Sequence, residues 1–211
     1  MHDKHSITLG SGIVAGKPII QVDGKNCEVL RIEHKLIDRL SGLLLIQKDL
    51  ELSQAVFSRL IEEYKADRES ILLQSYWFTG IISYGKCFAG AEGRKTKLEK
   101  RDHLKEAPEK LVSAHDNLIE LRNQYVAHGG VSLNERADIW VALFPDPASK
   151  ELAAIFETVS YSFSATVEEI ELNLELVEMV KARVDVMLEK QWKKVEEGIG
   201  AIPIQSLYEA L

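Results

Sequence analysis

Within 211 residues, one short run combines side chains suited to gripping an anion and moving a proton: Leu121-Arg122-Asn123-Gln124-Tyr125-Val126-Ala127-His128-Gly129. Arginine presents a fixed fork of donors to anions, and histidine changes charge near neutral pH. An Arg and a His six apart are common by chance, and it is the setting that distinguishes this pair. A helical stripe of Leu111, Ala114, Leu118, Leu121 and Tyr125 opens after Pro108 and stops at Gly129-Gly130. Six residues along a straight helix turn through about 600°, which leaves Arg122 and His128 roughly 120° apart. Convergence on one ligand then needs fraying before Gly129, or pairing with a second copy across a two-fold axis. The two-fold arrangement needs no strain. His128 in the last turn also feels the negative helix end, which favours its protonated form. The same residues admit plain structural roles: Arg122 paired with a carboxylate such as Glu120, and His128 capping the helix. His115, seven residues before Arg122 on the same face, reads as a further site residue or a surface group.

Other chemistry finds little footing. Gly10-Ser-Gly12-Ile-Val-Ala-Gly16-Lys17-Pro18 has the glycines and lysine of a phosphate loop. It lacks the Ser or Thr after the lysine, and strand-like residues follow where a helix is required. The chain contains no HExxH, no paired CxxC and no GxSxG. Cys27 and Cys87 stand sixty residues apart, so they build neither a zinc site nor a disulfide framework, and both read as buried structural thiols. From Arg94 to Lys105 six basic residues face two acidic ones, a local +4 in a chain whose net charge is −7. That segment is either a solvated loop and short helix or an anion-facing patch.

The run at 121–129 resembles the Arg-polar-x4–6-His signature of the HEPN superfamily, and the fuller Leu-Arg-Asn-x-x-x-Ala-His-Gly wording sharpens the match. Upstream, Trp77…Tyr84-Gly-Lys86-Cys-Phe88…Arg94 looks like the helix preceding this motif in abortive-infection-type HEPN proteins. Lys86 stands where those often have arginine. The resemblance covers residues 34–198 and implies a mainly α, up-and-down helical bundle that dimerises across the motif helix. In catalytic members, Arg and His of both subunits line one cleft for metal-independent RNA cleavage. By that resemblance Arg122 holds the scissile phosphate, His128 is general acid or base for attack by the ribose 2′-hydroxyl, and Asn123 orients either group or contacts the phosphate. Arg94, Lys95, Lys97, Lys100 and Arg101 would contact RNA. No metal or cofactor is implied; the implied partners are a second copy, an RNA substrate and an antitoxin or other protein. The setting that the resemblance implies is toxin–antitoxin or phage defence. The rival class is a non-catalytic dimeric interaction or nucleotide-binding module.

The elements that must position these residues follow from periodicity. Leu36, Ile37, Leu40, Leu43 and Leu44, then Leu52, Val56, Leu60, Ile61 and Tyr64, predict helix from 34 to 66, with a break or kink at Gly42 or Asp49. Glu69 to Ala89 is apolar on nearly every side, which predicts a central buried helix whose Gly80 and Gly85 admit close neighbours. Thr166 with Glu169 three residues on forms a capping-box pattern that opens a long helix to Glu197. Two small β-hairpins are expected, one N-terminal within residues 1–33, its turn at Asp23-Gly24, and one within 137–164. The division is then an N-terminal extension (1–33), the helical domain (34–198) and a tail (199–211). No signal-peptide pattern or membrane span is visible, so a cytoplasmic protein is expected.

Overall fold

The computed structural model describes residues 7–14, 17–32, 35–68, 70, 72–90, 94–123, 135–144, 152–161 and 165–209. The chain is mainly helical with two small antiparallel sheets. In order run β1 (Ile7–Val14), β2 (Lys17–Val22), β3 (Lys25–Cys27), α1 (Lys35–Ala66), α2 (Leu72–Phe88), α3 (Lys100–His103), α4 (Glu109–Leu121), β4 (Glu135–Leu143), β5 (Leu152–Tyr161), α5 (Val167–Gly200) and α6 (Ile204–Tyr208). The chain divides into two compact units, residues 1–40 with 189–211 and residues 41–188.

The first unit holds the three-stranded sheet β1-β2-β3. The expected hairpin thus gains a third strand, with Val22 opposite Lys25 across a turn in which Asp23 and Gly24 both have positive φ. β3 is three residues long and wholly exposed, and Cys27 at its end is exposed too. The expectation of a buried Cys27 fails because so short an edge strand has nothing packed on it. At the helical end of this unit Gln191 Nε2 donates to the Leu36 carbonyl at 2.9 Å.

The second unit is the bundle. Its core takes Leu43, Ile46, Leu50, Phe57 and Leu60 from α1, Leu73, Ile81 and Tyr84 from α2, Leu118 from α4, and Ile170, Val177 and Val184 from α5. Polar pairs show the direction of packing. Gln47 meets Asp185 and Gln54 meets Glu178, so α1 and α5 run antiparallel. Helix α1 continues through Gly42 and Asp49 without a break. A Cβ at Gly42 would lie 2.7 Å from Thr96 Cβ, so the glycine marks a close approach. Asp49 is held between Lys86 and Arg94. Gly80 admits the ring of Phe57, and Ser53 Oγ donates to the Gly80 carbonyl at 3.0 Å.

Two expectations for α2 need correction. It buries Leu73, Ile81, Tyr84 and Cys87, yet Leu72 and Ile82 are exposed, so it packs along one broad face rather than all round. Cys87 is buried as expected, and burial pushes its thiol up to about 12, which leaves it inert as a nucleophile. The second hairpin forms as β4 paired with β5, with Trp140 opposite Phe156 and Val141 opposite Ile155. Among the described residues no helix is long and apolar enough to cross a membrane.

Candidate functional site

Helix α4 delivers the first half of the motif. After Leu121 the backbone continues through Arg122 and Asn123 in a wider, π-type turn, a departure that recurs at functional sites in helices. Gln124 to Asn134, and His128 with them, lie outside the described residues. Arg122 rests on α2 at Gly85, where a Cβ would come within 2.8 Å of the arginine Cγ. Only a hydrogen at that position leaves room for the arginine stem. The Arg122 Nη1 donates to Asn123 Oδ1 at 2.8 Å, which restrains the guanidinium beside its neighbour.

A cavity of about 470 Å³ opens where α2 and α4 meet. Gly85, Phe88 and Ala89 come from α2 and its end, Leu98 and Lys100 from the following segment, and His115, Ile119, Arg122 and Asn123 from α4 and its continuation. Its wall is part apolar and part charged, with the carboxylate of Glu99 on it as well as Lys100 and Arg122. Lys100 Nζ is shared with Asp116, at 2.6 and 2.8 Å from the two carboxylate oxygens.

His115 is the histidine that the structure brings beside Arg122, and it is buried rather than at the surface. The Tyr84 hydroxyl and His115 Nδ1 share a 2.8 Å hydrogen bond, and the Phe88 ring meets the imidazole edge-on at 4.6 Å between centroids. Burial lowers the His115 pKa to about 4, with Asp116 opposing and Lys100 assisting. Burial also holds the Tyr84 hydroxyl well above its ordinary range. At neutral pH this is a neutral pair, protonated on the phenol. If Tyr84 donates to Nδ1, the imidazole carries its proton on Nε2. A histidine so depressed is a poor general acid at pH 7. Sequence spacing placed His115 on the motif's face, but its burial came from α2 and had no signal in the sequence.

The five cations expected to contact RNA separate once placed. Arg94 is nearly buried and forms an ion pair with Asp49, with a second bond to the Lys86 carbonyl. Lys97 pairs with Glu99 and Arg101 lies 3.5 Å from Asp102, all on exposed side chains. Lys95 is exposed. Only Lys100 of the five lines the cavity with Arg122. Among the described residues no three His, Cys, Asp or Glu side chains gather as metal ligands. No family model matches the chain, and neither a curated protein nor a solved structure matches it.

Proposed function

We propose that this chain is a HEPN-like, metal-independent endoribonuclease of a toxin–antitoxin or phage-defence setting, with Arg122 as the phosphate ligand and His128 as the general acid or base. The observation that carries the reading is the cavity on which Arg122, Asn123 and Lys100 open together beside the apolar surface of Phe88, Leu98 and Ile119. Arginine in a restrained orientation is the residue type for a phosphate diester, and an adjacent apolar wall suits a nucleobase. In the reaction the ribose 2′-oxygen bonds to phosphorus as its proton passes to a base. The bond to the 5′-oxygen breaks and that oxygen takes a proton. The products are a 2′,3′-cyclic phosphate and a free 5′-hydroxyl. His128 is the one histidine of the motif for this proton traffic, since His115 is held neutral. A dimer cleft supplies the second Arg and His that a single helix cannot aim at the same phosphate.

The test is incubation of the purified chain with structured and unstructured RNA in excess EDTA, beside Arg122→Ala and His128→Ala. Wild-type cleavage leaving cyclic phosphate ends, reduced about 10²–10³-fold in each variant, supports the assignment. Full cleavage by both variants ends it. Absence of cleavage by a folded wild-type chain moves the reading to a non-catalytic nucleotide-binding module.

A further inference from the structure

The cavity beside Arg122 carries polar groups that phosphate binding does not use. Glu99 sets a carboxylate on its wall, and a carboxylate repels a phosphate oxygen at close range. Glu99 stands ahead of α3 without bonding its side chain to that helix. Its Oε1 lies 3.1 Å from Lys97 Nζ and the side chain is half exposed, which leaves Oε2 to accept from a ligand. His115 supplies the opposite polarity. Tyr84 is wholly buried, and among the described residues the partner of its hydroxyl is His115 Nδ1 at 2.8 Å. A buried phenol needs an acceptor for its hydrogen, so Tyr84 donates and the imidazole hydrogen sits on Nε2. With Nδ1 turned onto α2, the Nε2 edge is what His115 brings to the wall. Phe88 and Ile119, both partly exposed, add apolar surface. At about 470 Å³ the cavity falls within the roughly 300–1,000 Å³ of small-ligand sites.

We propose that this cavity selects guanine as the base next to the bound phosphate, Glu99 accepting from guanine N1–H and N2–H and His115 Nε2–H donating to O6. The proposal deepens the reading of the cavity as the RNA site and rests on it. Single-stranded bases are read on their exposed edges and held against aromatic side chains. Guanine is the common base that places donors on two adjacent atoms of one edge, which matches the paired acceptors of a carboxylate, and its O6 follows on the same edge. Adenine, cytosine and uracil each offer a carboxylate a single donor nitrogen there. The division of charge fits as well. Arg122 takes the phosphate, and the carboxylate that would repel it meets the part of the nucleotide richest in donors.

The test is equilibrium binding of nucleoside monophosphates, with the phosphate at 5′ or at 3′, to the full chain by titration calorimetry, which needs no turnover. Wild type is expected to bind the guanine nucleotide at least about tenfold tighter than those of adenine, cytosine and uracil. The inosine nucleotide, which lacks the 2-amino group, is expected to fall toward the level of the others. That comparison changes the ligand and not the chain, so it holds even where a variant misfolds. Glu99→Gln is expected to lose most of the preference, and Arg122→Ala to weaken all four nucleotides alike. Equal binding of the four overturns the proposal, as does a guanine nucleotide left unbound at about 1 mM. Inosine bound as tightly as guanosine, or a preference that survives Glu99→Gln, overturns it equally. Guanine preference without RNA cleavage keeps the pocket and removes the nuclease, whereas cleavage with equal nucleotide binding does the reverse.

Discussion

At the scale of residues, Arg122 and His115 show how burial, not residue type, divides the labour. His115 lies 4% exposed against Tyr84 and Phe88, and its pKa falls to about 4 from the ordinary 6.5. The folded state therefore resists protonating it, while the unfolded chain protonates it near its ordinary value. That contribution to stability is complete above about pH 6.5 and is lost as the pH falls toward 4. Between pH 7 and pH 5 wild type is expected to lose about 2 kcal/mol relative to His115→Asn, whose amide keeps a partner for Tyr84 but does not titrate. Urea unfolding at the two pH values measures it, and parallel losses in both chains would contradict the buried neutral histidine. Arg122 depends on a residue with no side chain. Gly85→Ala puts a carbon 2.8 Å from the arginine Cγ, so the arginine must swing away. RNA cleavage by that variant is expected to fall at least about tenfold with helicity retained, a rate loss equivalent to roughly 1.4 kcal/mol. Here the sequence spoke in part. The Arg-Asn pair and its helix end were legible from spacing, and Gly85 was legible as a close-approach position. What it admits was not, because Gly85 and Arg122 are joined only by the packing of α2 on α4.

At the scale of elements, local rules did well where the determinants are local. The capping box forms as its sequence demands: Glu169 N–H donates to Thr166 Oγ1 at 3.2 Å, and Thr166 N–H donates to Glu169 Oε2 at 2.8 Å. Thr166→Ala removes one of these bonds and is expected to cost about 1 kcal/mol, read as a lower urea midpoint with an unchanged slope. Strand pairing of β4 with β5 and the extent of α5 were also legible from alternation and period. Gly42 and Asp49 were not, since both look like helix breakers in isolation. Their roles lie across the bundle, one making space for Thr96 and the other joining Lys86 to Arg94. Gly80 makes the same point in energy. An alanine there would meet the Phe57 ring at 2.6 Å, and Phe57 is wholly buried between α1 and α2. Gly80→Ala is expected to destabilise by about 1–3 kcal/mol through overpacking, although alanine is the better helix former. A variant more stable than wild type would show that propensity outweighs the clash.

At the scale of the whole molecule, the balance of charge decides how RNA would be held. The chain carries 26 basic and 33 acidic residues, a net −7, so no long-range field draws a polyanion in. The cationic segment from Arg94 onward looked like the compensating patch. Placed in the fold, it spends its charge at home: Arg94 on Asp49, Lys97 on Glu99, Lys100 on Asp116. Of these only Lys100 shares the cavity with Arg122, so the proposed binding mode engages one or two phosphates per cleft rather than a backbone-wide track. Each phosphate neutralised on single-stranded nucleic acid contributes about −0.7 to the slope of log affinity against log salt. The chain is therefore expected to bind single-stranded RNA with a slope between roughly −0.7 and −1.4 per site, measured with His128→Ala to prevent turnover. Had the six basic residues of the segment all met phosphates, the slope would approach roughly −4. Lys100→Ala is then expected to lower the slope, and Lys97→Ala to leave it unchanged. A steep slope that survives both changes would place the RNA on another surface and take the cavity out of the mechanism.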